Sequence, residues 1–216
     1  MSTLTDWIED GLDHLRDTIT DALTDLEDAV DDLGSRIQFG DGSAERLVGT
    51  ARDDTIAAAG GADTVLGGAG DDLLLGNAGA DVINAGVGQD SLFGGSGDDT
   101  LRGGAGTDLI YGGTGNDVIN GGPGDDILGG GLGNDIFRFT ALADGINERD
   151  VVTDFDLFSD DRLILDVPDP AAPGAYGIAL DGQDVVITMA TGDVIELLGA
   201  SGSFDQLNPA SEIQLV

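Results

Sequence analysis

Eleven carboxylates recur at a spacing of nine residues: Glu45, then Asp54, Asp63, Asp72, Asp81, Asp90, Asp99, Asp108, Asp117, Asp126 and Asp135. Asp oxygens and backbone carbonyls are hard donors, which suit Ca²⁺ far better than zinc or copper. The chain has no Cys and a single His, His14, to offer softer metals. If the copies stack, like charges meet along an edge, and something cationic has to sit between them.

The elements that must position these acids are written into the same nonapeptide. Counting Gly40 as position one, residues 40–138 hold eleven copies without an insertion; Gly67-Gly68-Ala69-Gly70-Asp71-Asp72-Leu73-Leu74-Leu75 is among the clearest. Position eight is apolar in every copy, from Leu47 and Ile56 to Leu128 and Phe137. Position four is Gly except at Ser43 and Arg52. Glycines in the first four positions permit positive φ and leave room for something bound close to the main chain. The first six residues of each copy are expected to form a turn, and the last three a short strand whose middle side chain points inward. One such unit cannot bury its apolar residue alone, so the copies must stack as a solenoid.

The pattern Gly-Gly-x-Gly-x-Asp-x-(apolar)-x, unbroken from Gly67, Gly94, Gly103, Gly112, Gly121 and Gly130, resembles the nonapeptide of the RTX calcium-binding family. The resemblance implies an all-β fold, a right-handed parallel β-roll solenoid with two nonapeptides in each eighteen-residue coil. Asp54, Asp72, Asp90, Asp108 and Asp126 would then line one edge, and Asp63, Asp81, Asp99, Asp117 and Asp135 the other. It further implies that each ion lies between successive turns, held by the aspartates and by turn carbonyls. Five turns per edge leave four gaps, so about eight Ca²⁺ ions are expected.

The bulk numbers fit a cation-dependent fold. The net charge is −34, and all eight basic residues are Arg. Such a surface repels nucleic acid and anionic lipid and destabilises the compact metal-free state. Calcium would therefore belong to the folding reaction itself. Residues 1–10 have neither a basic nor an apolar stretch of the secretory kind, and no run of 18 apolar residues occurs. Weak extracellular-type calcium sites would fill only outside the cell. The resemblance reconciles the two facts, because RTX-like proteins are in general exported unfolded by type I (ABC) secretion machinery with an uncleaved C-terminal signal.

Three regions follow: 1–39 as a helix and linker, 40–138 as the roll, and 139–216 as a C-terminal β-rich cap ending in the export signal. Leu4, Ile8, Leu12, Leu15, Ile19, Leu23, Leu26, Val30 and Leu33 advance by three or four residues, the stripe of an N-terminal amphipathic α-helix whose polar face is acidic. It could cap the first coil, associate with other chains, or lie on a membrane surface, which usually calls for Lys and Arg. After Arg138 ordinary strands are expected at 150–155, 162–167, 177–180, 184–188 and 193–197, with a hairpin turn at Asp181-Gly182. This region is similar to the C-terminal part of serralysin-type RTX proteins, where acids past the roll also hold calcium. Asp150, Asp154, Asp160 and Asp161 are the candidates here, against solvated loop acids. The segment 211–216, acidic and then aliphatic, has the character of the export signal.

Catalytic patterns are missing. One His cannot make His-Glu-x-x-His, no Gly-x-Ser-x-Gly elbow occurs, and the glycine turns bring no Lys for a phosphate loop. The expectation is a secreted, non-enzymatic calcium-binding β-roll that folds on calcium outside the cell. The alternative is an extracellular or cell-surface interaction protein, namely an adhesin, a coat, or a carbohydrate or ice binder that uses the roll face or self-associates through the helix. Outward positions such as Thr55, Phe93, Tyr111 and Asn120 lack the regular Thr or Asn ladder that ice binding favours.

Overall fold

The structure is a computed structural model that describes residues 18–26, 33, 36–140, 148–155, 161–166, 176–181, 184–189, 192–199 and 213–215. Trp7, His14, Asp160 and most of the expected helix lie outside the described residues. Residues 18–26 are helical.

The strands follow the nonapeptide. β1 (Ile37–Phe39), β2 (Arg46–Val48) and β3 (Thr55–Ala57) are short. β4 (Thr64–Ala69), β5 (Leu73–Ala78), β6 (Val82–Val87), β7 (Ser91–Ser96), β8 (Thr100–Ala105) and β9 (Leu109–Thr114) have six residues each. β10 (Val118–Asn120), β11 (Ile127–Leu132) and β12 (Ile136–Thr140) end the repeats. β13 (Arg149–Val152), β14 (Arg162–Asp166), β15 (Tyr176–Asp181), β16 (Asp184–Met189), β17 (Val194–Leu197) and β18 (Ile213–Leu215) follow.

Alternate strands fall into two sheets. One runs β1-β3-β5-β7-β9-β11-β13-β17-β16-β15, and the other β18-β14-β12-β10-β8-β6-β4-β2. Pairing within the repeats is parallel with an offset of eighteen residues, as in Leu74↔Leu92 and Ile83↔Leu101. This is the all-β parallel β-roll expected from the repeat. The stacking does not stop at Arg138. β13 pairs in parallel with β11, β14 with β12, β17 with β13 and β18 with β14. Among the described residues only β15, β16 and β17 pair antiparallel, with Asp181 opposite Asp184 and a turn at Gly192.

The core is the position-eight column. Ile56, Val65, Leu74, Ile83, Leu92, Leu101, Ile110, Ile119, Leu128 and Phe137 are fully buried between the two sheets, and Phe137 stacks at a tilt against Phe155 with centroids 5.9 Å apart. Burying each such side chain contributes roughly 1.5–3 kcal/mol.

The turn is shorter than expected. In the six-residue strands the parallel pairing continues through positions one to three, so the turn proper is positions four to six. Two residues beyond position eight, position one also points inward, as buried Ala58 and Ala85 show. There is no room for more: a β-carbon on Gly94 would lie 2.6 Å from the Gly112 carbonyl oxygen. Positive φ is confined to positions two and four within the repeats, for example 116° at Gly86 and 151° at Gly88. Ala59 and Asn77 occupy position two at φ 74° and 72° without being glycine.

Candidate metal centre

Position six sits where each turn enters its strand, and stacking sets these acids one coil above another. All ten aspartates from Asp54 to Asp135 are buried, at 0–2% exposure. From Asp63 to Asp135 each uses one oxygen to tie two coils together. The Oδ1 atom of Asp72 accepts the backbone N–H of Asp54 at 2.8 Å, and Asp90 accepts that of Asp72 at 2.7 Å. The same bond joins Asp81 to Asp63, Asp99 to Asp81, Asp117 to Asp99 and Asp135 to Asp117, each at 2.8 Å. The column therefore divides into the two edge ladders, each carboxylate reaching back toward the N-terminal end.

The second oxygen has nothing. Oδ2 of Asp63, Asp72, Asp81, Asp90, Asp99, Asp108, Asp117, Asp126 and Asp135 is buried without a hydrogen bond, as is Oδ1 of Asp54. Asp54 is inverted because its Oδ2 takes the Thr50 N–H at 2.6 Å and the Thr50 hydroxyl at 3.0 Å. Successive acids on an edge repeat at roughly the 4.8 Å spacing of neighbouring strands. A buried anionic oxygen with no donor is costly. Burial, reinforced by the neighbouring carboxylates, pushes the acids up: Asp72, Asp99, Asp108, Asp117 and Asp135 to about 6, and Asp126 to about 8. Asp81 and Asp90 are raised for the same reason, and the ladder N–H partly offsets burial in every case.

A proton or a cation would relieve these oxygens. The donor set fits a hard cation: anionic oxygens in line, among glycine backbone that brings carbonyl oxygens close. Among the described residues no three His, Cys, Asp or Glu side chains gather closely enough to hold a metal by themselves. A cation here would complete its shell with backbone carbonyls or water.

The ladder runs past the repeats. Asp126 donates its N–H to Asp150 Oδ1 at 3.1 Å, and Asp135 donates to Asp161 Oδ1 at 2.8 Å. Asp150 and Asp161 are buried, and burial with the nearby Glu148 raises Asp150 to about 7. Asp193, which sequence reasoning passed over, takes the Glu148 N–H at 3.3 Å in the next coil. Asp154 differs. Its two oxygens accept the N–H groups of Gly130 and Gly131, both at 2.9 Å.

A second ladder at position five was also missed. Asp53 accepts the N–H of Asp71, Asp71 that of Gln89, and Asp98 that of Asn116, so these exposed side chains reach forward while position six reaches back. The Asp and Asn residues preceding the position-six acids were the available signal.

The family model of the RTX calcium-binding nonapeptide repeat matches four times, over residues 39–74, 66–101, 75–110 and 102–137. No curated protein matches the chain. Among solved structures, an extracellular lipase from Serratia marcescens is similar at 16% identity and a TM-score of 0.35, over 83% of this chain and 40% of the lipase. A subunit of the Azotobacter vinelandii mannuronan C5-epimerase is similar at 22% identity and a TM-score of 0.33, over 82% of this chain and 80% of that one. The chain thus spans less than half of the lipase. Family match and stacked aspartates meet over the same residues, and residues 39–137 of this chain are RTX calcium-binding nonapeptide repeats.

Proposed function

We propose that the chain is a secreted calcium-binding β-roll protein that folds when Ca²⁺ binds outside the cell and that carries no catalytic role. One observation carries this reading: the unpartnered, buried second oxygen of every position-six aspartate. Asp54, Asp63, Asp72, Asp81, Asp90, Asp99, Asp108, Asp117, Asp126 and Asp135 would hold the ions, about eight if each gap between successive aspartates of an edge takes one. Ca²⁺ supplies positive charge between coils that otherwise repel. The chain's own part is to align the oxygens, exclude water from them and lock the register through the Oδ1 ladder.

Extracellular folding is supported by the net charge of −34, which disfavours the metal-free roll, and by the calcium levels such sites need. Among the described residues no helix is long and apolar enough to cross a membrane. Export through type I machinery rests on the family resemblance and on the 211–216 tail, part of which forms β18.

The test is a calcium titration from chelator, followed by far-UV circular dichroism, with Mg²⁺ as control. A cooperative coil-to-β transition near or below millimolar Ca²⁺, absent with Mg²⁺, is expected. Full β signal in chelator, unmoved by calcium, would overturn the reading.

A further inference from the structure

The odd-edge column of acids is headed by a residue that is not an acid. β1 pairs in parallel with β3 in the register Ile37↔Thr55, Gln38↔Ile56 and Phe39↔Ala57, so it keeps the eighteen-residue spacing of the repeats. Carried back one nonapeptide from Gly40, that register puts Arg36 at position six, one coil before Asp54. It puts Gln38 at position eight, where all eleven later copies are apolar. This extra copy thus departs from the pattern in both of its defining columns.

Both departures close on carbonyls of the chain itself. The Arg36 guanidinium donates through Nε at 2.9 Å and through Nη2 at 2.8 Å to one oxygen, the backbone carbonyl of Asp53. That carbonyl ends the turn that leads into Asp54. Asp54 is 2% exposed, and its Oδ1 accepts no hydrogen bond. Further along the edge, Oδ1 of Asp72, Asp90 and Asp108 reaches back to the N–H of the preceding acid. At Asp54 the preceding position-six residue is Arg36, and the ladder stops. Gln38 Nε2 donates to the Val48 carbonyl at 2.6 Å, which ties β1 to β2 of the other sheet at the end of the core. We propose, on the calcium reading above, that Arg36 is a built-in cation: its guanidinium takes the place of a calcium ion at the head of the odd edge and so ends the ion column there. A column of like charges needs positive charge at its gaps. A guanidinium is always charged, offers five donors and no acceptor, and so engages a turn carbonyl at any calcium concentration. Terminal repeats of a solenoid must differ from inner ones, because they have a neighbour on one side only. The even edge begins instead on a carboxylate, Glu45, whose N–H goes to Asp63 Oδ1 at 2.7 Å.

Bound calcium is counted by equilibrium dialysis in saturating Ca²⁺, with circular dichroism on the same samples reporting whether the roll is formed. Arg36→Asp extends the odd edge by one acid and should bind one ion more per chain than wild type. Arg46→Asp makes the same change of charge at an exposed, outward position of β2 and should bind the wild-type number. Thermal unfolding in saturating calcium gives a second measurement. Arg36→Gln should lower the midpoint by several degrees, and Arg36→Lys, which keeps the charge, should hold it near wild type. An Arg36→Asp roll that binds the wild-type number of ions overturns the assignment of Arg36 alone, and so does an equal gain in Arg46→Asp. Where Arg36→Asp forms no roll, a loss in Arg36→Lys as large as that in Arg36→Gln overturns it. A wild type that forms the roll and binds no calcium sinks the calcium reading itself.

Discussion

Asp99 accepts the backbone N–H of Asp81, one coil earlier, at 2.8 Å on Oδ1, while its Oδ2 is buried with no hydrogen bond. One carboxylate thus holds the coil ladder with one oxygen and leaves the other for the proposed cation. Asp99→Asn keeps an oxygen for the Asp81 N–H and removes the charge. In calcium the variant should lose about 1–3 kcal/mol, the range for a buried polar group left without its partner, and its calcium midpoint should rise several-fold. In chelator it should be no less stable than wild type, because a repulsive charge has gone. Parallel unfolding curves in the two conditions check this, and equal losses in both would show that Oδ2 holds no cation.

The raised carboxylates set a pH dependence for the metal-free chain. Asp72, Asp99, Asp108, Asp117 and Asp135 titrate near 6 when folded, Asp150 near 7 and Asp126 near 8, against 3.8 as the ordinary value. Between about pH 4 and 8 the folded roll therefore binds protons that the unfolded chain does not, so its stability falls as pH rises through that window. In chelator, β signal should increase on acidification from pH 8 to 5. Calcium should displace the same protons, and calorimetry at pH 7 in buffers of different ionisation enthalpy should record their release.

Coil meets coil closely at the position-two and position-four glycines. Gly104 has φ of 116°, and a β-carbon there would strike the Gly86 carbonyl oxygen. Gly104→Ala should cost at least ~1–3 kcal/mol through strain and steric displacement. Gly42→Ala, at a site with open space around it, should change stability little. Thermal unfolding of the two variants in saturating calcium provides the comparison.

Why the sequence revealed some of this and hid the rest follows from spacing. Position eight and position six were legible because stacking repeats one environment every eighteen residues, so Leu74 and Leu92 must be alike, as must Asp72 and Asp90. Asp150 and Asp161 occupy the same ladder, but their partners lie 24 and 26 residues back, so insertions broke the count while the strands kept their register. Strand length was misread for a different reason. Glycine at positions one to three looks like a turn, and only the pairing of one coil with the next shows that the strand continues through them.

Asp154 tests the boundary between structural and metal-binding acids. Its Oδ1 and Oδ2 each accept a glycine N–H, from Gly130 and Gly131, at the point where the repeats give way to the last coils. Both oxygens anchor the turn, which sets Asp154 apart from the position-six aspartates with their unpartnered oxygen. Asp154→Asn can keep only one of the two bonds and should cost about 1–2 kcal/mol, while Asp154→Ala leaves both N–H groups without an acceptor and should cost more, at about 1–3 kcal/mol per lost partner. These losses should be of the same size at calcium concentrations just sufficient to fold the roll and at tenfold excess. A loss for Asp154→Asn that excess calcium rescues would instead place Asp154 among the metal ligands.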